Sequence, residues 1–134
     1  MYKKILVPMA LDHDVSPQTL SIARNLAGAD GLVVALHVFE APQGSVSSYL
    51  DAEVVKDGFE KARATLTEKT AGLNVTPEIV KGHTYRSIID YAGSNDIDCI
   101  VMGSHKPGLA DYLLGSTAAR VVRHAPCAVH VYRN

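Results

Sequence analysis

The chain carries almost no net charge: 13 Lys and Arg stand against 14 Asp and Glu, a formal balance of −1. Without a basic surplus there is no general pull toward nucleic acid or an anionic membrane, so neither is expected as a partner. Cysteine is scarce. Cys99 and Cys127 are the two in 134 residues, both among apolar neighbours, where a free thiol behaves as a small buried hydrophobe. No disulfide is expected of them in a reducing compartment. No apolar run approaches the roughly 20 residues of a membrane-spanning helix. The opening Met1-Tyr2-Lys3-Lys4 has the charge of a secretory leader, but the apolar run after it is short and ends before Asp12 with no small-residue cleavage site. The expected location is therefore the cytoplasm. The six histidines (His13, His37, His83, His105, His124 and His130) form no H-x-x-x-H pattern and the cysteines no C-x-x-C, so no metal centre is expected. The chain also lacks G-x-x-x-x-G-K-[ST] and has no G-x-G-x-x-G after its first apolar run. Those absences exclude a P-loop and remove the dinucleotide fingerprint.

What is present reads as one domain over residues 1–134. The composition, 47% hydrophobic and 20% charged, is ordinary for a globular protein, and this length can bury a core without disulfides or metals. Residues 3–8 (KKILVP) form a short buried strand closed by proline. Ser16-Pro17 reads as an N-cap and a first-turn proline, followed by Leu20, Ala23, Leu26 and Ala27 at helical spacing and by Gly28 and Gly31 at the helix end. Residues 32–39 (LVVALHVF) are nearly continuous hydrophobe, as in a strand covered on both faces. Residues 40–49 read as an exposed loop, and 51–71 as a long amphipathic helix. Residues 75–80 are a more polar strand in which Pro77 argues for a sheet edge. Gly82 turns the chain and Thr84 is placed to cap a helix running to about Ala92. Residues 99–102 (CIVM) are a fourth strand and 103–112 a loop. Gly115-Ser116-Thr117 opens a last helix, with Ala118, Val121 and Val122 on one face, and Pro126 ends it before a final strand over 127–132.

Strands alternating with helices imply an α/β fold: one open, doubly wound, parallel sheet of five strands with helices on both faces. The hydrophobic runs belong near the middle, which gives the strand order 3-2-1-4-5, with four helices, two on each face. In such sheets ligands bind at the carboxyl ends of the strands, where strand order reverses. Two clusters of small residues fall there. Gly103-Ser104 leaves strand four and Gly115-Ser116-Thr117 enters the last helix. Glycine lets a backbone approach a ligand closely, and a helix N-terminus offers free N–H groups and a partial positive charge to an anion. The hydroxyls of Ser104, Ser116 and Thr117, with His105 and Lys106, complete a set able to hold a polyphosphate. The same glycines also serve as plain turns and the same hydroxyls as helix caps, and the residues alone leave both readings open. A phospho-receiver is disfavoured, because Val80-Lys81-Gly82 stands where its acceptor aspartate belongs.

KKILVP, the LHV of strand two, and GSH…LLGS followed by APCAVHV resemble the universal stress protein family, in the right order and over essentially the whole chain. That resemblance implies a Rossmann-like, adenine-nucleotide α-hydrolase-like fold and a regulatory protein of the universal stress response that binds ATP or another adenine nucleotide, which can carry Mg. The ATP-binding pattern of the family, G-x2-G-x9-G-[ST], places Gly103 at the first glycine and Gly115-Ser116 at the last pair. Lys106 stands at the second glycine and the interval is one residue shorter, as in members with an S-[HR]-x-P loop, here Ser104-His105-Lys106-Pro107. Pro8-Met9-Ala10 replaces a P-[TVI]-D run whose aspartate helps hold the nucleoside. By resemblance, Pro8, Met9, Ala10 and Val38 line the nucleotide crevice, and backbone groups near Met9 and Val38 hold the adenine. Gly103, Ser104, His105, Lys106, Gly115, Ser116 and Thr117 hold the phosphates. No catalytic role is expected, since no general base is evident beside the hydroxyls. Two alternatives stay open: a slow ATPase or autophosphorylating protein, and a nucleotide-free interaction protein of the same fold. The last strand (Ala128, Val129, His130, Val131 and Tyr132) is apolar and lies at an edge, which invites pairing with another copy. The resemblance implies a homodimer through it, and a regulatory protein partner that the sequence does not identify.

Overall fold

The computed structural model describes residues 1–12, 16–40, 52–104 and 114–133. The elements run β1 (Lys4–Pro8), α1 (Pro17–Ala27), β2 (Leu32–Phe39), α2 (Ala52–Thr70), β3 (Thr76–Lys81), α3 (Thr84–Ser94), β4 (Cys99–Gly103), α4 (Ser116–His124) and β5 (Ala128–Tyr132). All pairings are parallel and the sheet order is β3-β2-β1-β4-β5. The sequence-derived order holds, with β3 and β5 at the edges; element ends differ from the sequence reading by a residue or two.

Side chains alternate between the two faces of a strand, and the core divides accordingly. Leu6, Val34, Leu36, Val38, Ile100 and Met102 pack with Ile88 and Ala92 of α3 and Ala118 and Val121 of α4. Ile5, Val7, Val33, Cys99 and Val101 pack with Ala23 and Ala27 of α1. Met9 and Ala35 pack with Leu66 of α2 on that same second side. Two helices therefore cover each face, as expected. The division also keeps the thiols apart. Cys99 belongs to the α1 side and Cys127 to the α3–α4 side, so their side chains cannot meet across β4 and β5. Both are free, and burial pushes both thiols up from their ordinary value. The lower end of the sheet is tied by Asp98, whose carboxylate accepts the Lys3 and Lys4 N–H groups at 2.7 and 3.1 Å.

Helix α1 is built as its sequence reads. Ser16 Oγ accepts the Thr19 N–H at 3.0 Å, Pro17 opens the first turn, and Gly28 ends the helix at φ 77° with its N–H on the Arg24 carbonyl. For α3 the sequence reading is corrected. Thr84 is the first helical residue and His83 the cap, without a capping side-chain bond. Glu40, 44 residues earlier, supplies the acceptor: its carboxylate takes the Thr84 N–H at 2.9 Å and the Thr84 hydroxyl. A carboxylate at a helix N-terminus satisfies an orphan donor and meets the positive end of the dipole.

Two glycines separate steric need from mere presence. A Cβ on Gly31 would lie 2.2 Å from the Ala27 carbonyl oxygen, a backbone atom that cannot swing away. A Cβ on Gly93, inside α3, would meet only Pro126 Cγ at 3.9 Å. Urea unfolding should therefore show Gly31→Ala destabilised by about 1–3 kcal/mol, the cost of overpacking. Gly93→Ala should be stabilised by about 0.5–1 kcal/mol, from helix propensity alone.

Candidate functional site

Crossovers from β1 toward β2 and from β3 toward β4 run to opposite sides of the central strand, so the carboxyl ends of β1 and β4 border the switch point. The register pairs Leu6 with Ile100; continued along both strands it sets Pro8 level with Met102 and Met9 level with Gly103. The expected residues on β1, β2 and β4 thus end at one edge of the sheet.

Beyond β4 the chain is held twice at Ser104. Its N–H donates to the Tyr132 carbonyl at 2.9 Å, and its carbonyl accepts the Gly115 N–H at 2.6 Å. The second bond joins the two small-residue clusters, which lie 11 residues apart in the chain, and sets the amino end of α4 beside Gly103 and Ser104. Gly115 caps α4 in an extended conformation and has no side chain to give its first turn. The leading N–H groups of Ser116, Thr117 and Ala118 have no intrahelical acceptor by construction. Ser116 is exposed and Thr117 half-buried, while Ser104 is 3% exposed. Gly103 is exposed, and a Cβ there would meet nothing within 4 Å among the described residues. Its backbone conformation does not demand glycine and no neighbour crowds it, so the missing side chain leaves open space over the strand end.

At the end of β1, Pro8 is half-buried, Met9 buried and Ala10 exposed. The Met9 N–H donates to the Leu36 carbonyl at 2.8 Å, and the Met9 carbonyl bonds His37 Nδ1 at 2.9 Å. A carbonyl can only accept, so Nδ1 carries the proton. The parallel ladder between β1 and β2 stops at Pro8 opposite Leu36, while β2 runs on to Phe39. Because the Leu36 carbonyl faces β1, strand geometry turns the N–H and C=O of Val38 to the same side. Val38 thus presents one donor and one acceptor past the point where β1 has left the sheet.

His105 and Lys106 lie outside the described residues, as does Pro107. Of the other expected residues, Gly103, Ser104, Gly115, Ser116 and Thr117 come together through the Ser104–Gly115 bond. Pro8, Met9, Ala10 and Val38 come together through the end of the β1–β2 ladder. Sequence reasoning missed His37 as part of this end. Its local sequence carries no signal of this, because the role depends on which residue of β2 pairs with Pro8. Among the described residues no three His, Cys, Asp or Glu side chains gather as a metal site, and no helix is long and apolar enough to cross a membrane.

The family model for the universal stress protein family matches residues 1–133. Universal stress protein G of Salmonella typhimurium is 32% identical, over 99% of this chain and 100% of its own length. The solved universal stress protein UspA from Lactobacillus plantarum is 29% identical with a TM-score of 0.65, covering 98% of both chains. A universal stress protein solved in complex with cAMP has a TM-score of 0.70 at 22% identity, over 98% of this chain and 97% of that one.

Glu40 gives this end of the molecule a pH dependence. The bonds from Thr84, side chain first and backbone second, hold its carboxyl below the usual value. A depressed carboxylate contributes stability above its unfolded pKa, and the contribution is lost as pH falls through the folded one. Glu40→Gln should therefore cost about 0.5 kcal/mol near neutral pH, the low end for a cap because the group is exposed and screened. The gap between variant and wild type should close below the ordinary carboxylate range, as followed by urea unfolding across pH.

Proposed function

The chain belongs to the universal stress protein family, and we propose that it is a regulatory member of that family, a single domain that binds ATP or another adenine nucleotide at the carboxyl ends of β1, β2 and β4. The observation that carries this reading is the Ser104–Gly115 hydrogen bond. It sets an open glycine backbone beside the uncapped amino end of α4, an arrangement suited to phosphate oxygens. The base is assigned to Val38. Its N–H and C=O form a donor–acceptor pair complementary to the edge of adenine that carries one amino donor and one ring acceptor. A universal stress protein of the same fold was solved in complex with cAMP.

The rest of the ligand is assigned by chemistry. Lys106 and His105 supply donors and positive charge to the phosphates, and Mg accompanies a triphosphate. Ala10 offers the nucleoside a methyl group where an aspartate would accept from sugar hydroxyls, so the sugar is held weakly. The nucleotide acts by biasing a surface read by a protein partner in the cytoplasm. The assembly is a homodimer through β5, the edge strand, whose Val129, Val131 and Tyr132 are half-exposed.

Calorimetry tests the ligand. ATP and AMP should both bind, with 2′-deoxy-ATP within about threefold of ATP. Lys106→Ala should weaken ATP about tenfold and leave AMP nearly unchanged, because the lysine meets only the outer phosphates. No heat from either nucleotide would favour a nucleotide-free interaction protein. Light scattering tests the assembly. The wild type should weigh twice the chain mass, and Val131→Pro should halve it by deleting a strand donor.

A further inference from the structure

Parallel strands of unequal length normally leave a stub of ladder, and the longer strand keeps pairing as far as the shorter one stays in plane. Here the next rung is available on both sides. With the Met9 N–H on the Leu36 carbonyl, the parallel pattern would place the Val38 N–H on the Met9 carbonyl. That bond does not form. His37 Nδ1 holds the Met9 carbonyl instead, at 2.9 Å. Met9 is thus fixed by two consecutive residues of β2, through the backbone of Leu36 and the side chain of His37, and its own side chain is buried against Ala35 and Leu66. The next residue, Ala10, is exposed. A strand histidine has in effect ended the ladder one rung early.

We propose that His37 is the positioning residue of the base site. Its Nδ1–H captures the Met9 carbonyl, turns the chain out of the sheet, and keeps the Val38 N–H free for a ligand. The role rests on the adenine reading for the identity of that ligand, but the competition between His37 and Val38 for one carbonyl does not. A base-edge contact serves AMP and ATP alike, so His37 acts on both nucleotides equally, in contrast to a phosphate-side residue. Only the atom at the Nδ1 position matters, which separates positioning from general packing. Asn at position 37 carries an amide nitrogen at that position. Gln carries it one bond too far out, and Phe keeps the ring without the donor.

The test compares His37→Asn, His37→Gln and His37→Phe with wild type. Amide hydrogen exchange is measured by NMR on nucleotide-free protein, and AMP and ATP affinities by calorimetry. In the Gln and Phe variants the rung should close, and the Val38 amide should exchange at least about tenfold more slowly than in wild type. AMP and ATP should weaken together by about tenfold in both. The Asn variant should keep wild-type exchange at Val38 and affinity within about threefold. The Gln variant carries the test if the Phe variant does not fold. Unchanged Val38 exchange in all variants, or equal affinities in wild type, Gln and Phe, overturns the proposal. If no protein binds AMP or ATP while the exchange contrast at Val38 is present, the adenine reading fails and the ladder role of His37 stands.

Discussion

β1 has nowhere to go but the middle of the sheet. Ile5, Leu6 and Val7 are wholly out of solvent, which requires cover on both faces and a strand on each edge. Parallel pairing to β2 and β4 satisfies its backbone, and each crossover needs a helix to return the chain. Once β1 is central, β2 and β4 flank it, the crossovers run opposite ways, and strand order reverses where β1 and β4 end. The geometry follows from burying three side chains, and every described residue assigned to the ligand lies at that one edge.

Backbone makes up most of this site. Val38 offers its N–H and C=O, Gly103 offers open space, and α4 offers the leading N–H groups of a helix whose cap has no side chain. Side chains act mainly by placing those groups. His37 holds the Met9 carbonyl and Glu40 ties the end of β2 to the start of α3, while Ser104 is held through its own backbone N–H and C=O. A site made of main chain tolerates side-chain change so long as the strands end where they do. On the proposed reading, the alanine at position 10 leaves those backbone groups in place.

The sequence was legible where a local pattern determines structure. The run over Leu32–Phe39 gave β2 to the residue, because a strand buried on both faces needs unbroken hydrophobe. Ser16-Pro17 gave the start of α1, because cap and first turn lie within four residues. Pro77 marked β3 as an edge, because a central strand cannot spare its N–H. Long-range contacts were not legible. Thr84 looks like a cap by composition, yet the acceptor is Glu40, brought by the parallel path of β2 and β3. The two glycine clusters could be named, but the bond from Gly115 to Ser104 depends on where a loop closes. His37 gave no sign of its role, because it depends on β1 being shorter than β2 at one end, a relation between two strands. The family resemblance rested on motifs spread over the whole chain, and the family match over residues 1–133 bears it out.

The central claim is that an adenine nucleotide sits at the carboxyl ends of β1, β2 and β4, with its base at Val38 and its phosphates at the start of α4. An NMR titration with AMP, followed residue by residue on the backbone amides, measures this directly. The account predicts saturable shifts at Met9, Val38, Gly103, Ser116 and Thr117, with the amides of α2 and of β5 beyond its contact with Ser104 left in place. Shifts centred instead on the shallow groove between β3 and α3, lined by Val80, Lys81, Ser87, Asp90, Tyr91 and Ser94, or no shifts at millimolar AMP, would contradict it.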